Sequence, residues 1–314
     1  MGNSVIGNLD HEVWNLLGID VESRRKQLIN ERILVTGASG QLGFDICREL
    51  EKRKIEHVGT NSTDFNITNK EKTKDYIMKY NPTVIIHCSA YTAVDKAEDE
   101  PEKCFNTNKG GTCNVAEICK ELGCKMIYIS TDYVFSGTGE IPYEVNDETE
   151  PQNIYGKSKL AGEGIVKELL DKYFIVRISW VFGKNGNNFV KTMLRIGGEK
   201  DKINVVSDQI GSPTYTADLA PLLCDMAISE KYGTYHATNE GFCSWAELAE
   251  EIFEVAGYKT KVNPITTKEY PTKAIRPKNS RMSKLVLSKN GFEQLPTWKN
   301  AIKRYITELN QQNI

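Results

Sequence analysis

Tyr155 and Lys159 stand four positions apart in the run Tyr155-Gly156-Lys157-Ser158-Lys159. Residues four apart on a helix project from one face, so a phenol and an ammonium would point into the same small volume. A phenol beside a positive charge is a tunable proton donor, because its ordinary pKa of about 10 falls by about one to three units in such company. The expectation is therefore a Tyr155 hydroxyl made more acidic by Lys159. Taken alone, the same spacing also occurs on any solvated helix face, and the neighbouring segments decide between the two.

The second group of chemical interest is Ser130-Thr131-Asp132-Tyr133, which closes an apolar, β-branched run. A Thr131 hydroxyl at the carboxyl end of a strand is placed to polarise a carbonyl while Tyr155 delivers a proton to its oxygen. That division of labour needs a hydride source, which a nicotinamide cofactor supplies without a metal. Thr131 as a simple turn cap is the plainer alternative.

The third group is Gly37-Ala38-Ser39-Gly40-Gln41-Leu42-Gly43. It follows the strand-like Ile33-Leu34-Val35 and precedes a helical stretch that opens at Gln41, the strand–turn–helix setting of a dinucleotide turn. Gly37 and Gly40 let the backbone turn tightly and approach a pyrophosphate, whose charge meets free N–H groups at the helix N-terminus, and Gly43 lets the helix pack closely. About 20 residues further on, a carboxylate would select NADH and a cation NADPH. This chain has Thr60-Asn61-Ser62-Thr63 there, so NADPH or NADH both remain open. Asp64 and Phe65, a few residues later, are placed to reach the adenine end, with a turn carboxylate as the alternative for Asp64.

These groups need a frame to hold them. From Arg32 onward, short β-branched runs (33–35, 55–59, 84–88, 126–130, 175–178) alternate with helical stretches (41–53, 71–80, 101–122, 155–171). Runs apolar on both faces with helices between them predict an α/β fold with a doubly wound parallel sheet of Rossmann type. The chain divides into an N-terminal extension, 1–30, with Val13, Leu16 and Leu17 on one helical stripe; a dinucleotide-binding domain, 31–180; and a smaller C-terminal region, 181–314, interleaved with the sheet and mainly concerned with substrate.

Composition narrows the class further. The 314 residues are 39% hydrophobic and 26% charged, with 40 basic and 42 acidic side chains and a net charge of −2. Nothing in that balance asks for nucleic acid or an anionic membrane. No apolar run is long enough to span a bilayer, and no basic segment followed by an apolar stretch opens the chain. Met1-Gly2 hints at myristoylation, but Ile6 stands where that signal needs Ser or Thr. The eight cysteines show no C-x-x-C pair, which predicts reduced thiols in a cytoplasmic protein and no bound metal.

With these segments in view, the sequence resembles the extended short-chain dehydrogenases/reductases, and within them the reductases of dTDP-linked 4-keto-6-deoxy sugars. The resemblance covers the chain from about Arg32 to its C-terminus. It rests on residues 37–43 with their G-x-x-G-x-x-G spacing, on 90–98, 130–135, the Tyr155/Lys159 pair, 179–183, 208–214 and 276–280. It implies Tyr155 as proton donor, Lys159 as its electrostatic partner and holder of the nicotinamide ribose, and Thr131 as the carbonyl-polarising hydroxyl. It places Asp132, Tyr133 and Trp180 against the sugar nucleotide, with Gly40, Gln41, Leu42, Asp64, Phe65, Ala90, Tyr91 and Thr92 along the cofactor.

The implied reaction is reduction of the C4 ketone of dTDP-6-deoxy-L-lyxo-4-hexulose, by a protein that acts on a small nucleotide sugar and pairs as a homodimer. Three alternatives stay open. One is another 4-keto sugar nucleotide; a second is a 4,6-dehydratase, disfavoured because Tyr133 stands where such enzymes carry Glu. The third is a non-catalytic dinucleotide-binding subunit like that of methionine adenosyltransferase. Residues 1–30 have no counterpart in the resemblance.

Overall fold

The computed structural model describes residues 31–311; the N-terminal extension and its helical stripe lie outside the described residues. Six strands form the main sheet: β1 Arg32–Thr36, β2 Glu56–Thr60, β3 Val84–His87, β4 Lys125–Thr131, β5 Tyr173–Ile178 and β6 Gly233–His236. Their order is β6-β5-β4-β3-β1-β2, and every neighbouring pair runs parallel. The reversal of direction in that order falls between β1 and β3, so the chain leaves a crevice beyond the carboxyl ends of those strands.

Strand alternation supplies both faces of the sheet. Ile33 and Val35 point to one layer with Ile86, Ile127 and Val176, where α1 Gln41–Lys52 covers them; Leu34 points to the other with Ile85, Met126 and Tyr128, under α2 Lys70–Tyr80, α3 Thr112–Leu122 and α4 Ile154–Leu169. α5 Thr216–Ala227 completes the first layer through Leu219 and Leu223. Thus residues 181–314 supply both a sheet strand and a layer helix. The predicted helix over 101–122 is broken at its middle, where Asn106–Gly111 widens into a π turn ahead of α3. Such turns recur at functional sites.

A third cluster, built on Phe182, Tyr215, Leu248, Ile252, Trp298 and Tyr305, joins α6 Trp245–Ala256 to α7 Trp298–Asn310 and forms the smaller region beside the sheet edge. Ser244 opens α6 with a reciprocal capping box to Glu247, a device that satisfies two backbone donors at once. No helix among the described residues is long and apolar enough to cross a membrane.

Candidate active site

The turn after β1 requires its glycines. Gly37 has φ +70°, and a Cβ there would lie 2.9 Å from the backbone nitrogen of Ser89. A Cβ on Gly43 would stand 2.3 Å from the Gly37 carbonyl oxygen, so this residue closes the turn on itself, a tighter demand than helix–sheet packing. Gly40 is the N-cap of α1 and no side chain caps the helix, which leaves the first-turn N–H groups of Gln41, Leu42 and Gly43 along the cleft. A pyrophosphate fits a turn of this kind.

α4 is set so that Tyr155 sits in its first turn. Asn153 caps it by accepting from the Gly156 N–H at 2.8 Å, and Glu98 accepts from the Ile154 N–H at 2.8 Å. Gly156 is there because a Cβ would strike the Tyr133 carbonyl oxygen at 2.2 Å, which brings the helix start against the end of β4. Asn108, in the π turn, ties three segments together. Its amide exchanges hydrogen bonds with the Tyr91 backbone at 2.7 and 3.1 Å and donates to Ser158 Oγ at 2.8 Å, and Ser158 donates onward to the Tyr155 carbonyl.

At the cleft floor, Thr131 donates to Asp132 Oδ1 at 3.0 Å and accepts from the Tyr133 N–H at 3.2 Å, so it caps the short turn Asp132–Val134 besides facing Tyr155. Burial raises the Asp132 carboxyl to about 6, opposed by hydrogen bonds from Ser280 and Thr131. Tyr133 meets Tyr155 edge-on at 5.6 Å and its hydroxyl accepts from Arg276 at 3.0 Å.

The expected acidification of Tyr155 is not what this arrangement produces. Burial, then the nearby Asp132 charge, push the phenol upward, with the Thr131 hydrogen bond the opposing influence. The Lys159 ammonium instead rests over the Tyr128 ring, 4.0 Å from its centre. Burial lowers Lys159 to about 7, against the opposing pull of Glu163. A buried phenol that keeps its proton is still a proton donor to a strong base.

One cleft of about 570 Å³ gathers Gly37, Gly40, Gln41, Leu42, Gly43, Phe65, Ala90, Thr92, Thr131, Asp132, Tyr133, Tyr155, Lys159 and Trp180. Two predicted residues do not join that lining. Asp64 turns its carboxylate back to the Asn61 N–H at 2.8 Å, closing its own loop, and Tyr91 directs its hydroxyl to Glu100 at 3.0 Å. Asn61 and Ser62, from the 60–63 stretch weighed for cofactor choice, line the cleft, as do Asn66, Ile67, Ser89 and Thr107, which no sequence motif marks.

A second cleft of about 900 Å³ shares Tyr133 and Trp180 with the first and continues among Phe189, Met193, Lys200, Lys202, Gln209, Trp245, Arg276 and Ser280. Among the described residues, no cluster of three or more His, Cys, Asp or Glu side chains is arranged to hold a metal.

The family model described as the RmlD substrate binding domain matches residues 31–311. The chain belongs to that family. It is 39% identical over 277 residues to the spore coat polysaccharide biosynthesis protein SpsK of Bacillus subtilis, covering 88% of this chain and 97% of that one. It is 37% identical over 291 residues to the dTDP-4-dehydrorhamnose reductase of Salmonella typhimurium, with 88% and 97% covered. The crystal structure of dTDP-4-dehydrorhamnose reductase from Bacillus anthracis, in complex with NADP, superposes with a TM-score of 0.87 at 45% identity, covering 89% of this chain and all of that one. The residues matched by the family model span all the described elements of the family member.

Proposed function

We propose that this family member reduces the C4 ketone of dTDP-6-deoxy-L-lyxo-4-hexulose to dTDP-L-rhamnose, with NADPH or NADH as reductant. The observation that carries the reading is the convergence of Tyr155, Thr131 and the residue 37–43 turn on one cleft that continues past Tyr133 and Trp180 into a second. The relatives named dTDP-4-dehydrorhamnose reductase, one of them solved with NADP, support the substrate and the cofactor class. Residues 31–180 serve chiefly the dinucleotide and 181–314 the sugar nucleotide.

A nicotinamide dinucleotide held by the 37–43 turn and the first cleft would supply the hydride for C4. Tyr155 gives its proton to the C4 oxygen, which becomes an alkoxide-like base far stronger than a phenolate, so a phenol raised by burial still transfers in the required direction. Thr131 steadies the same oxygen and Asp132 holds the Thr131 hydroxyl in place. Lys159 holds the cofactor ribose and carries a charge that a small change in its surroundings switches. Trp180 and Tyr133, shared by the two clefts, flank the sugar. We place the protein in the cytoplasm as a homodimer.

The test is a product assay with defined 4-keto sugar nucleotides against both cofactors. NAD(P)H oxidation with the 6-deoxy-L-lyxo sugar, yielding the rhamnose nucleotide, is the expected result. Oxidation only with another 4-keto sugar would move the assignment to that substrate; tight dinucleotide binding with no oxidation by any sugar would leave a non-catalytic binding subunit.

A further inference from the structure

Trp180 follows β5 with φ +50°, a left-handed backbone that is costly for a residue with a bulky side chain. Such a conformation persists where the surroundings over-determine it. Here they do so from several sides. The Trp180 carbonyl accepts from the Thr214 N–H at 3.1 Å, and the flanking Ser179 donates its hydroxyl to the Ser212 carbonyl at 2.7 Å. The indole lies flat on that of Trp245, with ring centres 3.7 Å apart and planes at 14°. Its edge passes over Gly211, where a Cβ would be only 2.8 Å from Trp180 Cε2.

Trp245 is itself fixed. Its indole N–H donates to Gln209 Oε1 at 3.2 Å, Gln209 donates to Thr267 Oγ1 at 3.1 Å, and Phe189 packs against the Trp245 ring at 4.7 Å. Both indoles are half-buried, and both line the second cleft while Trp180 also lines the first. Two large aromatic faces left partly open to a cleft, one in a strained conformation, are more than core packing needs.

We propose that Trp245 is a positioning residue for the substrate: it locks Trp180 by face-to-face stacking, with Gly211 leaving the room, so that Trp180 stands as a preformed wall against the nucleotide sugar. This rests on the reading of the clefts given above. The device acts on binding rather than on proton or hydride transfer, because neither indole offers an acid or a base. Preorganisation of this kind removes the ordering cost from the binding step.

Two variants displace Trp180 independently: Trp245→Leu keeps apolar bulk but removes the stack, and Gly211→Ala pushes a methyl group into the Trp180 edge. Three readouts are taken for each. They are the far-ultraviolet circular dichroism couplet of the stacked indoles, the calorimetric Kd for dTDP-glucose (which has no C4 ketone), and KM and kcat for the 4-keto sugar. The expected result is a couplet in the wild type that disappears in Trp245→Leu, a rise in Kd and KM of about tenfold, and a kcat within about twofold. Trp245→Phe should recover most of the affinity, and Trp180→Ala combined with Trp245→Leu should be no worse than Trp180→Ala alone.

Absence of the couplet in the wild type, unchanged Kd and KM in both variants, or an equal fall in kcat and dinucleotide affinity would each overturn the proposal. Failure of the wild type to reduce any 4-keto sugar would sink the reductase reading instead. The couplet and the dTDP-glucose Kd would still decide the role of Trp245.

Discussion

Glu163 receives the Arg177 guanidinium through two hydrogen bonds, Nε to Oε1 at 2.9 Å and Nη2 to Oε2 at 2.7 Å, and both side chains are buried. Glu163 lies on α4, one turn beyond Lys159, and Arg177 lies on β5; Ser130, next to Thr131, donates to the same carboxylate at 2.6 Å. The pair therefore fastens the helix bearing Tyr155 to two strands of the sheet.

Replacing one partner should be severe. Glu163→Gln leaves the buried guanidinium without a counter-charge, and breaking a buried pair in this way costs about 3–5 kcal/mol. Urea unfolding of the variant should show a loss of that order; a loss below about 1 kcal/mol would mean that the remaining neutral acceptors, the introduced amide oxygen and the Val145 carbonyl among them, satisfy Arg177 without a counter-charge.

Tyr155→Phe removes a hydroxyl and nothing else from the cleft. Turnover should fall by about 10²–10⁴-fold, the usual share of a general acid, while dinucleotide affinity stays near the wild-type value. Rapid-mixing kinetics with NADPH and the 4-keto sugar measures both. Undiminished turnover would assign the proton to another donor.

Lys159→Met should trade activity for stability. Burial holds the folded-state pKa of Lys159 at about 7, below its ordinary 10.5, so between those values the unfolded chain binds more protons than the folded one. Stability then rises with pH across that window, and below about 7 the folded protein bears the full burden of a buried ammonium. The variant should lose that rise and melt several degrees higher at neutral pH, while binding dinucleotide more weakly. In the wild type, kcat/KM should decline as pH climbs through about 7 and Lys159 gives up its charge. A melting profile whose pH slope survives the substitution would assign the titration elsewhere.

Gly43→Ala and Gly164→Ala make a matched comparison. The first sets a methyl group 2.3 Å from the Gly37 carbonyl and should abolish dinucleotide binding together with much of the stability; the second, inside α4, meets nothing within 4 Å and should stabilise by about 0.4–1 kcal/mol. Fluorescence titration with NADPH and thermal melts distinguish them. Normal NADPH affinity in Gly43→Ala would show that the turn can open without harm.

What was legible in the sequence follows from how each feature is encoded. β1, β3, β4 and β5 carry β-branched or aromatic runs buried on both faces, so their places were plain. β6, Gly-Thr-Tyr-His, has no such run; it is a strand because β5 offers it an edge and because Tyr235 and His236 are buried there, which is tertiary information. The π turn at Asn106–Gly111 lies in a helical pattern interrupted only by Gly110-Gly111, too slight a signal to separate from a continuous helix.

The site followed the same division. Spacing brought Tyr155, Lys159 and Thr131 together, and the turn glycines joined them. Side-chain direction is not written in spacing: Asp64 and Tyr91 sit in cleft-side segments yet turn to Asn61 and Glu100. Trp245 belongs to none of the sequence motifs, and its bearing on the site comes from the stack with Trp180, a contact between residues 65 positions apart.

The outermost strand has a bearing on how the protein is made. A nascent chain released only as far as residue 180 carries β5 with its outer row of backbone donors and acceptors bare, the kind of edge that recruits other chains. Residues 233–236 close it, and α5 arrives just ahead of them to roof the same layer. Translation products truncated between these points should therefore clump, and a ribosome that stalls there would hand the cell an aggregation seed in place of half an enzyme.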